Sequence, residues 1–374
     1  MAGGLNYSVI SRGISTKKQP TVLFDRHAFI CYTAILIFLT QGERLLQVNC
    51  LVTGGTGFTG SHLVKRLLGK GCRVEVVDNA KGLFWDELEA LGASLHLGSI
   101  TDRPLMDQMV KGQEVVFHIA AAFRGVSLPH KVYWEVNVEG TRNLAEASLR
   151  QGVKRFIYCS TEGVHGHIKN PPADETAPIA PKDYYQYTKW EGEKVIQEYI
   201  EKGLPSVILR PTAIYGPGDP ERFLLIYRRV KTGIFPMFGS GKIFYHPLYI
   251  DNLSDAFELS MERDEALGQT YLIADESYIS IEALIRETAK VMGIQVKVPH
   301  FPFWPLWGAA FLCELVCKPL GITPPIFRRR ADWYRQNRGF SIEKAKRELG
   351  YLPKVGLTEG LTRTYRWYVR EGYL

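Results

Sequence analysis

Val48-Asn49-Cys50-Leu51-Val52-Thr53-Gly54-Gly55-Thr56-Gly57-Phe58-Thr59-Gly60 is a short apolar run that ends in a glycine-rich turn. Just beyond it, Leu63, Val64, Leu67 and Leu68 fall on one helical face. The segment is therefore expected to be a buried strand, Val48–Val52, that bends sharply into a helix, Gly60–Leu68. In such a bend each glycine has its own task. Gly54 permits the tight turn, Gly57 lets a pyrophosphate approach the backbone, and Gly60 allows the helix to pack closely on the strand. The phosphates of a dinucleotide would lie at the helix N-terminus. A glycine-rich loop by itself is equally an ordinary turn, so the weight falls on its surroundings.

Outward from the turn, apolar strands alternate with helical stretches as far as Leu209, the pattern of a parallel sheet covered on both faces. Further strands are expected at Arg73–Val77, Ser94–Leu97, Val115–Ile119, Phe156–Cys159 and Ser206–Leu209. Helices are expected at Trp85–Leu91, Pro104–Val110, Val136–Arg150 and Tyr184–Glu201. The fold class is α/β, a Rossmann-type doubly wound parallel sheet over residues 48–210. After Pro211 the pattern turns irregular and richer in proline and aromatics, which predicts a smaller C-terminal substrate domain over 211–374. Residues 1–47 read as a leader, either disordered or a weak membrane anchor. Their apolar run Ala28–Thr40 is shorter than the ~20 residues of a spanning helix.

Composition narrows the choices. At 374 residues the chain has ample core, and 45% hydrophobic with 23% charged residues is ordinary for a globular protein. The six cysteines are scattered without a CxxC pair, which argues for reduced thiols in a cytoplasmic setting and against a disulfide framework or a metal site. A net charge of +7 with dispersed bases suits an anionic ligand or a membrane surface and carries no nucleic-acid signature. A second apolar anomaly is Phe301–Cys317. Pro302 and Pro305 are expected to prevent a regular helix at its start, and the stretch is either packed on the substrate domain or an apolar lid and membrane-touching patch.

Three groups carry chemistry. Asp78 ends the second strand 24 residues after Gly54, where a carboxylate meets ribose hydroxyls and repels a 2′-phosphate by roughly 4 kcal/mol at ~4 Å. NAD is thus preferred over NADP, with Lys81 near enough to soften the discrimination. Tyr185 and Lys189 lie four apart on a predicted helix, on one face, so that the ammonium stabilises the phenolate and makes the pair a proton-transfer device. Ser160 and Thr161 follow a strand at the edge of the sheet where ligands bind, and either hydroxyl suits a substrate oxygen.

These motifs together resemble the extended short-chain dehydrogenases/reductases of the NAD-dependent epimerase/dehydratase type. Thr53 to Gly60 is similar to the family's TGxxGxxG, Tyr185 to Lys189 to its YxxxK, and Tyr158-Cys159-Ser160-Thr161 to its strand-end hydroxyl segment. His118 to Ala122, Asn137 to Thr141, Leu209 to Pro217 and Lys344 to Tyr351 match in the same order. The resemblance implies a catalytic trio of Thr161, Tyr185 and Lys189. It implies NAD contacts from Gly54, Gly57, Phe58, Gly60, Asp78, Ala120, Ala121, Asn137, Lys189, Pro211 and Ala213, Asn137 matching the family's structural helix asparagine. It also implies a homodimer through helices equivalent to Val136–Arg150 and Tyr184–Glu201. Two departures stand out: Gly98-Ser99 replaces the family's Gly-Asp near the adenine, and Thr59 replaces its isoleucine.

The substrate stays open at this level. A hydrophobic secondary alcohol of the hydroxysteroid and sterol branch is favoured by the Leu-Arg-Pro-Thr phrase, Tyr249 to Leu253 and Phe301–Cys317. A nucleotide-sugar epimerase or dehydratase would need Arg222, Arg228 or Arg229 to grip a diphosphate, and Ile214 stands where such enzymes often carry asparagine. A non-catalytic dinucleotide sensor is the third reading, disfavoured because the Tyr/Lys pair is kept.

Overall fold

Cys50, Leu51 and Val52 are wholly buried although successive side chains on a strand point to opposite faces. The strand they form must therefore be covered on both sides, as in a parallel sheet. The computed structural model describes residues 47–123, 128–219, 222–317, 319–320, 322 and 324–374. The leader expected over residues 1–47 lies, Gln47 apart, outside the described residues. Val48–Leu374 is one compact unit.

The chain runs β1 Asn49–Thr53, α1 Phe58–Gly69, β2 Arg73–Asp78, α2 Trp85–Ala90, β3 Ser94–Leu97, α3 Arg103–Val110, β4 Val115–His118, α4 His130–Trp134, α5 Thr141–Gln151, β5 Arg155–Cys159, α6 Tyr184–Glu201 and β6 Ser206–Pro211. There follow β7 Ala213–Tyr215, α7 Arg222–Lys231, β8 Met237–Phe238, β9 Phe244–Tyr245, β10 Pro247–Tyr249, α8 Ile250–Glu262, β11 Thr270–Ile273, β12 Ile279–Ser280, α9 Ile281–Val291, β13 His300–Phe301, α10 Phe303–Cys317, α11 Arg328–Ala331, α12 Glu343–Leu349 and α13 Leu357–Arg370. The main sheet has seven strands in the order β11-β6-β5-β4-β1-β2-β3, every neighbouring pair parallel. Its strand order reverses between β1 and β4, the place where open α/β sheets bind ligands. One core lies on the Val52, Leu63 and Phe257 side. The other lies on the Leu51, Leu144 and Ile196 side.

The expected Rossmann-type sheet is present, with three differences in detail. Its outermost strand, β11, is contributed by the C-terminal half of the chain. The helix expected over Val136–Arg150 is a π-helical turn, Glu135–Gly140, running into α5, and α4 precedes both; such local widening accompanies functional sites. Across Phe303–Cys317 the chain is helical despite Pro305. That proline falls in the first turn, where its missing N–H would have had no helical partner.

Candidate active site

The turn after β1 is shaped by close backbone approach. Gly54 sits at φ +71°, and a Cβ there would come within 2.9 Å of the Ala120 backbone; one on Gly60 would meet the Gly54 carbonyl at 2.2 Å. Gly57 differs, because a Cβ on it would find nothing nearer than 3.6 Å. Its freedom serves whatever approaches α1 from outside, which fits a pyrophosphate at the helix N-terminus. Asp78, at the end of β2, is held by Thr56, whose backbone N and Oγ1 donate to Oδ2 at 3.1 and 2.7 Å. Thr56 is a variable position of the glycine motif, yet it fixes the carboxylate beside the turn.

On the next strand, His118 is a buried brace. Thr141 Oγ1 donates to the Asn137 carbonyl, so at 2.9 Å it accepts from His118 Nε2. His118 Nδ1 then accepts from Thr53 Oγ1 at 2.8 Å. Burial, with the Lys189 ammonium nearby, holds the imidazole pKa well below its ordinary value, consistent with this neutral tautomer. Asn137, in the π-helical turn, spends its side chain on Ala122, accepting from its N at 2.8 Å and donating to its carbonyl at 3.1 Å, and on Thr188 Oγ1 at 3.0 Å. It anchors the loop after β4 to α6.

Helix α6 starts where Asp183 Oδ1 caps the Gln186 N–H at 2.8 Å and Gln186 Oε1 accepts from Lys182 N at 2.7 Å, a capping box in substance. That start places half-buried Tyr185 and fully buried Lys189 on the cavity side, one turn apart. The Tyr185 ring packs on Phe123, centroids 4.7 Å apart. Lys189 Nζ lies 4.1 Å above the Tyr158 ring, and burial lowers its pKa from 10.5 to about 8, so it is still mostly an ammonium at pH 7.

The two hydroxyls after β5 part company. Ser160 Oγ donates to Glu193 in a buried network, in which Arg210 grips the same carboxylate from Nε at 3.0 Å and Nη2 at 2.6 Å. His165 completes it: Nδ1 donates to the Ala177 carbonyl at 3.0 Å, and Nε2 accepts from Arg210 Nη1 at 3.0 Å. Thr161 Oγ1 instead donates to Glu162 Oε2 at 2.8 Å and accepts from Gly163 N. Glu162, almost wholly buried, is paired with Arg338 at 3.2 Å. Neither Glu162 nor Arg338 belongs to a motif read in the sequence; the only signal was a carboxylate directly after the strand-end hydroxyls.

A single cavity of about 1420 Å³ joins these parts. Gly54, Gly57, Phe58, Gly60, Asp78, Ala120, Ala121, Thr161, Tyr185, Lys189 and Pro211 all line it, as do Gly98 and Ser99. Asn137 and Ala213 do not, the first being committed to Ala122 and the second buried between β7 and its partner β10. Thr212 also lines the cavity, and its buried Oγ1 has no hydrogen-bond partner among the described residues. The open Gly57, the tethered Asp78 and this orphaned hydroxyl make the cleft fit for a dinucleotide.

Residues 50–274 match the model of the NAD dependent epimerase/dehydratase family. The chain belongs to that family. The match ends just beyond β11, the last strand of the main sheet. A 3beta-hydroxysteroid-dehydrogenase/decarboxylase of Arabidopsis thaliana is 33% identical over 362 residues, covering 87% of this chain and 80% of that protein. A 2-alkyl-3-oxoalkanoate reductase of Stenotrophomonas maltophilia is 28% identical, covering 84% and 98%. The crystal structure of a UDP-glucose 4-epimerase from Thermotoga maritima with UDP-glucose superposes with a TM-score of 0.71 at 28% identity, over 87% of this chain and 99% of that one. The epimerase/dehydratase chain is thus an NAD-dependent enzyme of the extended short-chain dehydrogenase/reductase class, with NAD as its cofactor.

Proposed function

We propose that the protein is an NAD-dependent dehydrogenase acting on a bulky apolar secondary alcohol that carries an acidic group. The carrying observation is the outer wall of the cavity. Leu128, Val136, Leu224, Phe235, Phe327 and Trp333 make it apolar, while Arg222, Arg228, Arg229 and Arg338 set cations among them. A greasy hydroxy acid satisfies both features at once. The names of two relatives point the same way: sterol-4-alpha-carboxylate 3-dehydrogenase of Mus musculus, 28% identical, and the 2-alkyl-3-oxoalkanoate reductase each imply a carboxyl on the carbon next to the reacting one.

NAD, when bound, supplies the two-electron acceptor for the hydride leaving the carbinol carbon. The rest belongs to the chain. Tyr185 takes the hydroxyl proton, Lys189 holds the phenolate and the neighbouring ribose, and Thr161 donates to the substrate oxygen after turning from Glu162. In the reducing direction Tyr185 returns the proton. The free thiols Cys50, Cys72 and Cys159 support a cytoplasmic setting, and a homodimer packed through α5 and α6 completes the proposal.

Nucleotide-sugar epimerisation is the second reading, supported by the arginines lining the cavity and by the likeness to UDP-glucose 4-epimerase. Assays with 3-hydroxy-4-carboxysterols and 2-alkyl-3-oxoalkanoates, followed by NADH absorbance, are set beside UDP-glucose, followed by chromatography of the sugar products because epimerisation returns its hydride and leaves no net NADH; together they separate the two. Turnover of UDP-glucose alone, with NAD retained through purification, would reverse the choice. Tyr185→Phe is expected to bind NAD normally and lose turnover by roughly 100-fold or more; unchanged turnover would remove Tyr185 from the mechanism.

A further inference from the structure

Helix α10 inverts the arrangement normal for a surface helix, which turns a polar stripe to water and an apolar one to the core. Trp304, Phe311, Leu312, Leu315 and Val316 are exposed, by between 40% and 66%. Its enclosed positions are Ala310 and Glu314. The Glu314 carboxylate faces inward and accepts from Arg328 N at 2.7 Å and Arg328 Nη2 at 3.0 Å. Leu320, Ile322 and Ile326 extend the apolar face beyond the helix.

Charge identifies what covers it. From His300 to Ala331 the sequence holds one acidic residue, Glu314, and four strong bases, Lys318, Arg328, Arg329 and Arg330. Since Glu314 and Arg328 neutralise each other, the segment's remaining charge is wholly positive in sequence, and exposed Arg330 gives the apolar surface a cationic fringe. Two copies meeting face to face would set these cations against each other, whereas an anionic bilayer satisfies both apolar stripe and fringe. We propose that α10, with Leu320, Ile322 and Ile326, seats this protein in the interfacial layer of an anionic membrane. Fifteen residues span roughly 22 Å, short of the ~30 Å hydrocarbon core, so the helix lies in the plane of the membrane with Trp304 and Trp307 at headgroup depth. Among the described residues no helix is long and apolar enough to cross a membrane. Pro324, Pro325, Phe327 and Trp333, which follow α10, line the catalytic cavity. The membrane face therefore adjoins the substrate site, and a lipid-soluble alcohol enters without crossing bulk water; this last step alone rests on the proposed substrate.

The test is flotation of the full chain with phosphatidylcholine vesicles containing or lacking phosphatidylserine. The parent protein is expected to float with the anionic vesicles and less with the neutral ones. Leu312→Asp/Leu315→Asp, whose side chains are exposed, is expected to lower the bound fraction by roughly tenfold or more, with NAD binding and thermal midpoint unchanged. Trp304→Ser serves as the milder variant should the double one fold poorly. Binding equal to the parent's in both variants would assign the contact to another surface, such as the apolar run 28–40, and overturn the proposal. So would a parent that ignores all vesicles, or one that self-associates through α10 by light scattering. None of these readouts uses a substrate, so their failure is distinct from failure of the dehydrogenase reading.

Discussion

Replacing Lys189 by methionine is expected to make the protein more stable and a far poorer catalyst. Residues four apart on a helix share a face, and unit charges ~5–6 Å apart at an effective dielectric near 20 attract by about 3 kcal/mol, the scale expected for the ammonium's hold on a Tyr185 phenolate. At tenfold per ~1.4 kcal/mol, its loss lowers kcat/KM at pH 7 by roughly 100-fold. Stability moves the other way. Lys189 is fully enclosed, and burial lowers its pKa from 10.5 to about 8, a cost of about 3 kcal/mol for holding the charge in the folded state. Methionine keeps the apolar stem and gives up the contact with the Tyr158 ring, worth about 1 kcal/mol, leaving a net gain of about 2 kcal/mol. Because the folded pKa lies below the unfolded one, this cost is complete below pH 8 and fades as pH rises to 10.5. The methionine variant should therefore melt higher than the parent at pH 7 and level with it near pH 10.5. Initial rates of NADH formation and thermal scans at both pH values provide the check. A rate loss below roughly threefold, or a lower midpoint at pH 7, would refute the reasoning.

Three further outcomes follow from the geometry. Gly60→Ala drives a methyl into the Gly54 carbonyl and should lower both thermal midpoint and NAD affinity, whereas Gly57→Ala should leave the midpoint alone and weaken NAD binding only, as read by calorimetric titration. Glu193→Gln strips the counter-charge from buried Arg210 and should cost about 3 to 5 kcal/mol in urea unfolding; a cost under about 1 kcal/mol would mean that the network is dispensable. Asp275 accepts from Tyr249 N and Asn252 Nδ2 at 2.9 and 2.7 Å, and burial pushes its carboxyl up to about 7 from 3.8. With the folded pKa the higher one, its contribution is full below pH 3.8 and lost as pH rises through 7. Asp275→Asn should thus raise the thermal midpoint above pH 7 and not near pH 4, and a gain independent of pH would count against burial as the cause.

Much of this was readable from one dimension because the signals were local. Helix α6 begins and ends where its pattern predicted, its start capped by Asp183 and Gln186 within its own sequence. The glycine turn was equally plain, as it joins a strand and a helix that are contiguous. What escaped depends on distant partners. Thr270–Ile273 is a four-residue strand with no hint that it would pair with β6, some sixty positions earlier in the chain. Glu162 gained its place from Arg338, 176 residues away. Asn137 looked like a cofactor contact from its motif, but its hydrogen bonds go to Ala122 and Thr188. The exposure of α10 was beyond reach because hydropathy reports how apolar a segment is and not which way it faces.

The late arrival of β11 bears on how the protein is made. During synthesis β6 emerges with one flank paired to β5 and the other bare, and stays so until residues 270–273 have left the ribosome. An unpaired, apolar strand edge invites pairing with a neighbouring nascent chain. Chains truncated between Pro211 and Thr270 should therefore collect in inclusion bodies, while those that extend past Ile273 close the edge within their own length.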